Sequence, residues 1–512
     1  MILNKKIIKF IIATLLIVLS ILHCLIYWGV SIDDVYITFR YAKNLYNGYG
    51  LVYNPGEIPV EGFTSLFNTL LAWLYFYGLG TAYIPIKLTA LSITVLFISY
   101  LLYLRFIPGF FASLFLIGST SYAYYAMSGM ENYLTVPLVF LIVYFGIKKD
   151  ANWLWCLFSC LALIVRPEMQ MIILLIIGYR SLIFSTSIFK GITKKSVLVI
   201  VFFNLGIYIF RYIYFGEVMP NTYYAKYTGG KLLWDLMAGA SYLSSISPQY
   251  AITIATSIFL IFFIRDKTER ILFGLILTIF IVFPVKIGGD DISTFPYQRL
   301  YLPLLGLIMV LFYRSDVKGY TPPLIFIIIL LPFLSFSPAL FHIKTNLQIN
   351  KFSNNFTAIF KNYFISFHEI KENKLSDYLI AETPASEFIA VPFAGYIPFA
   401  TRLLTIDLLG LNDRHISKIL KRDPGVDTKF DAEYILFRKP YFYCDIMILD
   451  VNLPLAYYRD LSRYELYKLG AIRQGQIDIL KDPRFSEGYL IDKKATQFAN
   501  FGTCYRRIAI AP

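Results

Sequence analysis

Asn4-Lys5-Lys6-Ile7-Ile8-Lys9 opens an apolar stretch that runs to Val30 and is broken by Ser31-Ile32-Asp33-Asp34-Val35-Tyr36-Ile37-Thr38-Phe39-Arg40. Lysines ahead of an apolar run are the charge layout of a secretory leader. This run exceeds the usual length, however, and no small-x-small cleavage site precedes the polar island, so it reads as an uncleaved membrane anchor. Lys5, Lys6 and Lys9 place the N-terminus in the cytoplasm and Asp33 and Asp34 therefore outside. Two carboxylates at the mouth of a span are costly to keep there and point to chemistry or ion binding.

The rest of the chain shares this membrane character. Of 512 residues, 57% are hydrophobic and 16% charged, against roughly 25% charged in a soluble domain. The formal charge of +14 comes from short basic clusters between apolar runs, and no long basic polar domain exists to bind nucleic acid. Further apolar runs lie at 63–80, 84–104, 110–127, 132–147, 152–166, 168–185, 196–215, 250–264, 271–287, 299–314 and 321–339. If all crossed, there would be twelve spans, with Lys148-Lys149, Lys194-Lys195 and the basic clusters at 265–270 and 314–318 outside. Taking 63–80, with its Thr64, Ser65, Asn68 and Thr69, as a re-entrant or interfacial segment leaves eleven spans and puts all four clusters in the cytoplasm.

That parity gathers the polar motifs on one face. Outside with Asp33 and Asp34 lie Ser128-Gly129-Met130-Glu131-Asn132, Arg166-Pro167-Glu168, the 216–248 loop with Pro220-Asn221-Thr222-Tyr223-Tyr224, and Gly288-Gly289-Asp290-Asp291. After Pro338 the texture changes. Residues 340–512 carry more charge, β-like runs at 388–391, 432–437 and 446–449, and amphipathic stretches at 416–420 and 457–469. The expected architecture is a polytopic α-helical membrane module over 1–339 and an extracytoplasmic α/β domain over 340–512. Cys444 and Cys504 share that domain and are candidates for one disulfide, whereas Cys24, Cys156 and Cys160 lie in apolar runs as small hydrophobes.

The string DDVYITFRYAKNLYNGYGLVYNPGEIPVEGFTS resembles the first periplasmic loop of GT-C glycosyltransferases, in particular the terminal β-arabinofuranosyltransferase family of mycobacterial cell walls and its bacterial relatives. SGMEN at 128–132, RPE at 166–168, PNTYYAK at 220–226, GGDD at 288–291 and IDLLGLNDRHI at 406–416 continue the resemblance in order. It implies a multi-pass enzyme of the bacterial inner membrane, with a GT-C-like fold and the C-terminal domain in the periplasm. Its donor would be a polyprenyl-phosphate sugar and its acceptor an extracytoplasmic glycan or lipid-linked saccharide, handled among membrane lipids. A transporter or flippase of a lipid-linked saccharide is the alternative, but no gapped helix or chain of intramembrane carboxylates marks a midplane site. A non-enzymatic envelope-assembly protein is the other, and it would tolerate loss of Asp33 and Asp34.

Glycosyl transfer needs a carboxylate to deprotonate the acceptor hydroxyl and cations to meet the leaving phosphate. By similarity Asp33 or Asp34 is the catalytic base, the other orienting the acceptor or binding a divalent cation, Mg or Mn; the bland reading is a helix N-cap. Arg40, two turns on, reaches for phosphate or pairs with Asp34. Glu131 matches an acidic position of the superfamily's second loop. Arg166 is a phosphate ligand or the ion-pair partner of Glu168. Asp290 and Asp291 bind metal or sugar hydroxyls, or form an exposed loop, and Arg299 follows where a span begins. Lys226 meets a phosphate or only solvent. Asp407 and Asn412 contact the acceptor, or form a turn in which Asp and Asn bond their own backbone.

Overall fold

The computed structural model describes residues 5–183, 191–226, 232–290, 297–315, 367–419, 429–447, 449–468, 474–499 and 501–508. The membrane module comprises α1 (Lys5–Ile26), α2 (Asp33–Tyr46), α3 (Leu66–Leu79), α4 (Tyr83–Leu104), α5 (Phe106–Ile117), α6 (Thr120–Met127), α7 (Asn132–Gly146) and α8 (Asn152–Val165). It continues with α9 (Met169–Ile183), α10 (Gly191–Phe215), α11 (Asn221–Lys226), α12 (Leu232–Ser244), α13 (Pro248–Phe262), α14 (Lys267–Lys286), a 3-10 turn at Arg299–Tyr301 and α15 (Pro303–Arg314).

Among the described residues, four stretches are long and apolar enough to cross a membrane: Lys5–Ile26, Tyr83–Leu104, Lys194–Phe215 and Lys267–Lys286. Two bent pairs raise the number to six if each is one span. The apolar run at 110–127, expected as one crossing, is such a pair: α5 and α6 meet at 69°. Ser119 makes the break by capping α6, its hydroxyl accepting from the Tyr122 N–H. α12 and α13 meet at 93°, where Pro248 starts the second helix. The segment expected at the interface is α3, capped by Ser65 and packed on α2. The last expected span, 321–339, and the boundary at 339/340 lie outside the described residues.

The C-terminal part builds a five-stranded sheet from β1 (Phe388–Val391), β2 (Leu404–Asp407), β3 (Phe442–Asp445), β4 (Tyr489–Ile491) and β5 (Thr503–Arg507), in the order β2-β1-β3-β5-β4. β1 runs parallel to β2 and β3, whereas β5 is antiparallel to β3 and β4. Around it lie α16 (Phe367–Glu382), α17 (Tyr396–Thr401), α18 (Arg414–Lys418) and α19 (Ala432–Arg438), then short helices from Leu455–Asp460 to Lys493–Phe498. Ala390, Ile406, Tyr443 and Tyr505 face one core; Ile389, Val391, Phe442 and Cys444 face the other, under Leu375 and Leu379 of α16.

The strand expected at 388–391 is present as β1, and two other expectations are corrected. Residues 432–437 are helical, because Asp431 caps the segment by accepting from the Tyr434 N–H and the helix buries Ile435 and Leu436 together. The strand expected at 446–449 falls instead on Phe442–Asp445, whose four residues are all buried and therefore show no alternation.

Cys444 and Cys504 sit directly opposite each other on β3 and β5 and are disulfide-bonded across 60 residues of sequence. In the chain-entropy account a loop of that length contributes about 4 kcal/mol. Reducing the bond, or replacing both cysteines by serine, is expected to lower the thermal transition of the C-terminal sheet. Melting of the detergent-solubilised protein with and without dithiothreitol measures it, and coincident curves would show that the bridge adds nothing.

Candidate functional site

α2 carries the two carboxylates in its first turn, with Ile32 rather than either aspartate at the capping position. One step along a helix turns a side chain by about 100°, so neighbours face different surroundings. Asp33 turns to the C-terminal sheet: its carboxylate accepts from the N–H groups of Gly395 (2.9 Å) and Tyr396 (2.8 Å). Asp34 turns into the membrane module and meets Arg299 at 3.5 Å. Among the described residues that ion contact is its one polar partner.

Arg299 lies on the 3-10 turn, buried, and its guanidinium grips Asp290 through Nε and Nη2. Its Nη1 is left between Asp34 and the weak acceptor Met130 Sδ, both at 3.5 Å. Beside this group a second arginine is held: Arg166 donates to Glu131 (2.8 Å) and to Glu168 (2.6 Å). The Thr64 hydroxyl donates to the same Glu131 at 2.9 Å and approaches Thr38 of α2 at 3.4 Å. Gly129 turns the chain at φ +87°, and a Cβ there would press on Val35, next to Asp34, at 3.0 Å. The SGME motif thus brings Met130 and Glu131 against α2 by a close approach that only glycine allows. Burial pushes the Asp34 carboxyl above the usual carboxylate range, Arg299 and Lys226 pull it down, and Asp290 and Glu131 push it up.

A small cleft opens beside the two arginines. Arg166, Glu168 and Arg299 line it with Asn132 and Thr135, and Ile172, Ile279, Phe280 and Phe283 supply apolar wall. Asn132 Oδ1 and Thr135 Oγ1 are buried without a hydrogen-bond partner among the described residues. A buried orphan acceptor is costly, so a cavity lined by two suits a ligand that is polar at this end. The sequence reading assigned neither residue a role; the available signal was their spacing of three at the start of α7, directly after Glu131.

The structure thus brings Asp34, Glu131, Arg166, Glu168, Asp290 and Arg299 together, with exposed Lys226 in electrostatic reach of Asp34. Asp291 lies outside the described residues. Arg40 does not join them: it donates to the carbonyl oxygens of Tyr53 (2.7 Å), Leu403 (2.8 Å) and Pro398 and to Asn54 (2.9 Å). Asp407 and Asn412 form the turn rather than a ligand surface. Asp407 accepts from the N–H groups of Leu409 and Asn412 and from Asn412 Nδ2, and burial pushes its carboxyl up to about 6. The PNTYYAK motif serves this turn, since Asn221 donates to the carbonyls of Gly410 (2.8 Å) and Leu411 (2.9 Å). Asp33 and Asp34 diverge, so they do not fit one cation, and among the described residues no three carboxylate, histidine or cysteine side chains group as a metal set.

Residues 363–485 match a family described as a domain of unknown function, DUF8728. No curated protein matches the chain. Among solved structures the chain is similar to the crystal structure of ArnT from Cupriavidus metallidurans bound to undecaprenyl phosphate. The TM-score is 0.51 at 10% identity, over 90% of this chain and 96% of that one. At this identity the likeness is one of fold, and it fits a helical membrane protein.

Proposed function

We propose that the protein is a membrane glycosyltransferase that takes a sugar from a polyprenyl-phosphate donor and passes it to an extracytoplasmic glycan or lipid-linked acceptor. The observation that carries this reading is Asp34: a carboxylate nearly buried among two arginines and three acids, with one loose ion contact while every neighbouring acid is firmly held. A carboxylate kept ionisable with an oxygen to spare is what a general base requires. In the proposed step Asp34 takes the proton of the acceptor hydroxyl as its oxygen bonds to the anomeric carbon. The bond from that carbon to the phosphate oxygen breaks, and the polyprenyl phosphate leaves with the electron pair. Arg299 and Arg166 meet the charge that develops there.

Three further observations support the reading. The cavity joins a cationic end to apolar walls, as a phosphate on a prenyl chain would need. The fold resembles that of ArnT, whose structure holds undecaprenyl phosphate. The Cys444–Cys504 disulfide suits an oxidising compartment, which supports an extracytoplasmic position for the C-terminal sheet and for α2 docked on it. The donor sugar is proposed only by class, a pentose or a hexose carried on polyprenyl phosphate. No step is routed through a divalent cation, because the two aspartates face different partners.

The test is turnover in proteoliposomes given a panel of polyprenyl-phosphate sugars and an envelope extract as acceptor. We expect release of polyprenyl phosphate with at least one donor, and the sugar recovered on the acceptor. Movement of an intact lipid-linked saccharide across the bilayer, with no bond cleaved, would replace this reading with the flippase.

A further inference from the structure

α2 has a second working face, and it is gripped from outside the membrane module. Asp33, Tyr36 and Arg40 are spaced three and four apart and share one side of the helix. Asp33 holds the start of α17 through the amides of Gly395 and Tyr396, and Arg40 holds the other end through the carbonyls of Pro398 and Leu403. Between them the Tyr36 ring meets Tyr396 edge-on at 5.0 Å and Phe399 at 5.6 Å. The approach is so close that a Cβ at Gly395 would overlap the Asp33 carbonyl oxygen.

The loop after α2 repeats the grip. Tyr53 donates its hydroxyl to the Ala394 carbonyl at 2.6 Å. The Asn54 amide accepts from the Thr405 N–H (3.0 Å) and donates to the Thr405 carbonyl (2.8 Å). It thus pairs with the edge strand β2 as one more rung of the ladder, on the side where no further strand is paired among the described residues. Arg40 is itself 4% exposed and its guanidinium lies over the Tyr53 ring at 4.4 Å. A buried arginine whose N–H groups are used on three carbonyls and an amide has no donor set left for a phosphate.

We infer that Asp33 and Arg40 are positioning residues: by clamping both ends of α17 they make the C-terminal sheet the part that fixes α2, and so holds Asp34 against Arg299. This rests on the proposed role of Asp34 and gives Asp33 a different role from its neighbour. The two faces of one 14-residue helix divide the work: Asp33, Tyr36 and Arg40 dock, while Asp34 and Thr38 face the ionic cluster. A shift of α2 by about 1 Å would be felt as a loss of roughly 10²-fold in rate, because the base must sit at hydrogen-bonding distance from the acceptor hydroxyl.

Asp33→Ala, Asp33→Asn and Gly395→Ala test the inference in the full-length protein, the last without substituting any residue of α2. Asp33→Ala and Gly395→Ala are expected to lower kcat by about 10²-fold with the donor KM changed less than about twofold. Asp33→Asn, which keeps one acceptor oxygen, is expected to fall between them and the wild type. Amide hydrogen exchange in α2 should rise in the same order, a readout that needs no turnover. Wild-type kcat together with wild-type exchange in Asp33→Ala would overturn the inference, and so would a raised KM at unchanged kcat, which would make Asp33 a substrate ligand. Absence of turnover in the wild type would count against the proposed function instead, and the exchange comparison would still decide the clamp.

Discussion

Replacing Asp34 by asparagine is expected to reduce the rate of sugar transfer by about 10²–10⁴-fold, the usual contribution of a positioned general base. Asparagine keeps the shape of the side chain and removes its charge, so the fold should survive. Arg299 still grips Asp290, and Val35 still packs against the Gly129 turn. Release of polyprenyl phosphate, measured against the wild type in the same membranes, reads the effect directly; full activity in Asp34→Asn would remove Asp34 from the mechanism. The pH dependence has a definite sign. Asp34 acts only when ionised, and burial holds its carboxyl above the ordinary range. The rate should therefore climb with pH through a limb lying above that range and flatten once the group has lost its proton. A limb at or below the ordinary carboxylate value would assign the titration to a different group.

The ionic cluster was legible in the sequence for a physical reason. Charged residues in a chain this apolar stand out, and the positive-inside count puts Glu131, Arg166, Asp290 and Arg299 on the same face as the aspartate pair. What each residue does was less legible, because the partners that decide it are remote. Asp33 and Asp34 are adjacent in sequence and alike in chemistry, and they are distinguished by Gly395 and Tyr396, more than 360 residues away. The spacing of Arg40 on α2 suits either a phosphate or Asp34, and that same spacing places it beside Asp33 on the docking face. Asn132 and Thr135 escaped because they are neutral and open an apolar helix, so that only the cavity in front of them gives them meaning. In the C-terminal part, the apolar run at 388–391 marks β1, whereas β3 ends in Asp445 and the apolar run just after it at 446–449 draws the expected strand too far along the chain.

In the proposed reaction Arg299 couples base and leaving group, and Arg299→Met is expected to cost about 10²–10³-fold in kcat. Each arginine spends two of its three nitrogens on carboxylates, in different ways. Arg166 is shared between Glu131 and Glu168 at hydrogen-bonding distance, whereas Arg299 spends Nε and Nη2 on Asp290 and leaves Nη1 3.5 Å from its nearest acceptors. A good N–H to oxygen bond is about 2.9 Å, so Arg299 Nη1, which sits beside Asp34, is a donor able to turn to an incoming phosphate. Losing the guanidinium would remove that donor and also strip Asp34 of the cation that draws its carboxyl down. The acid limb of the remaining activity should therefore move to higher pH as well as the rate falling. Arg299→Lys keeps the charge but not the fork that spans Asp290 and Asp34 together, and it should recover the limb more fully than the rate. Because the two residues are in direct contact, the double variant with Asp34→Asn should fall short of the product of the single losses. Strictly multiplicative losses in that cycle would mean that Arg299 and Asp34 act on separate events, and the coupling argued from their 3.5 Å contact would fail.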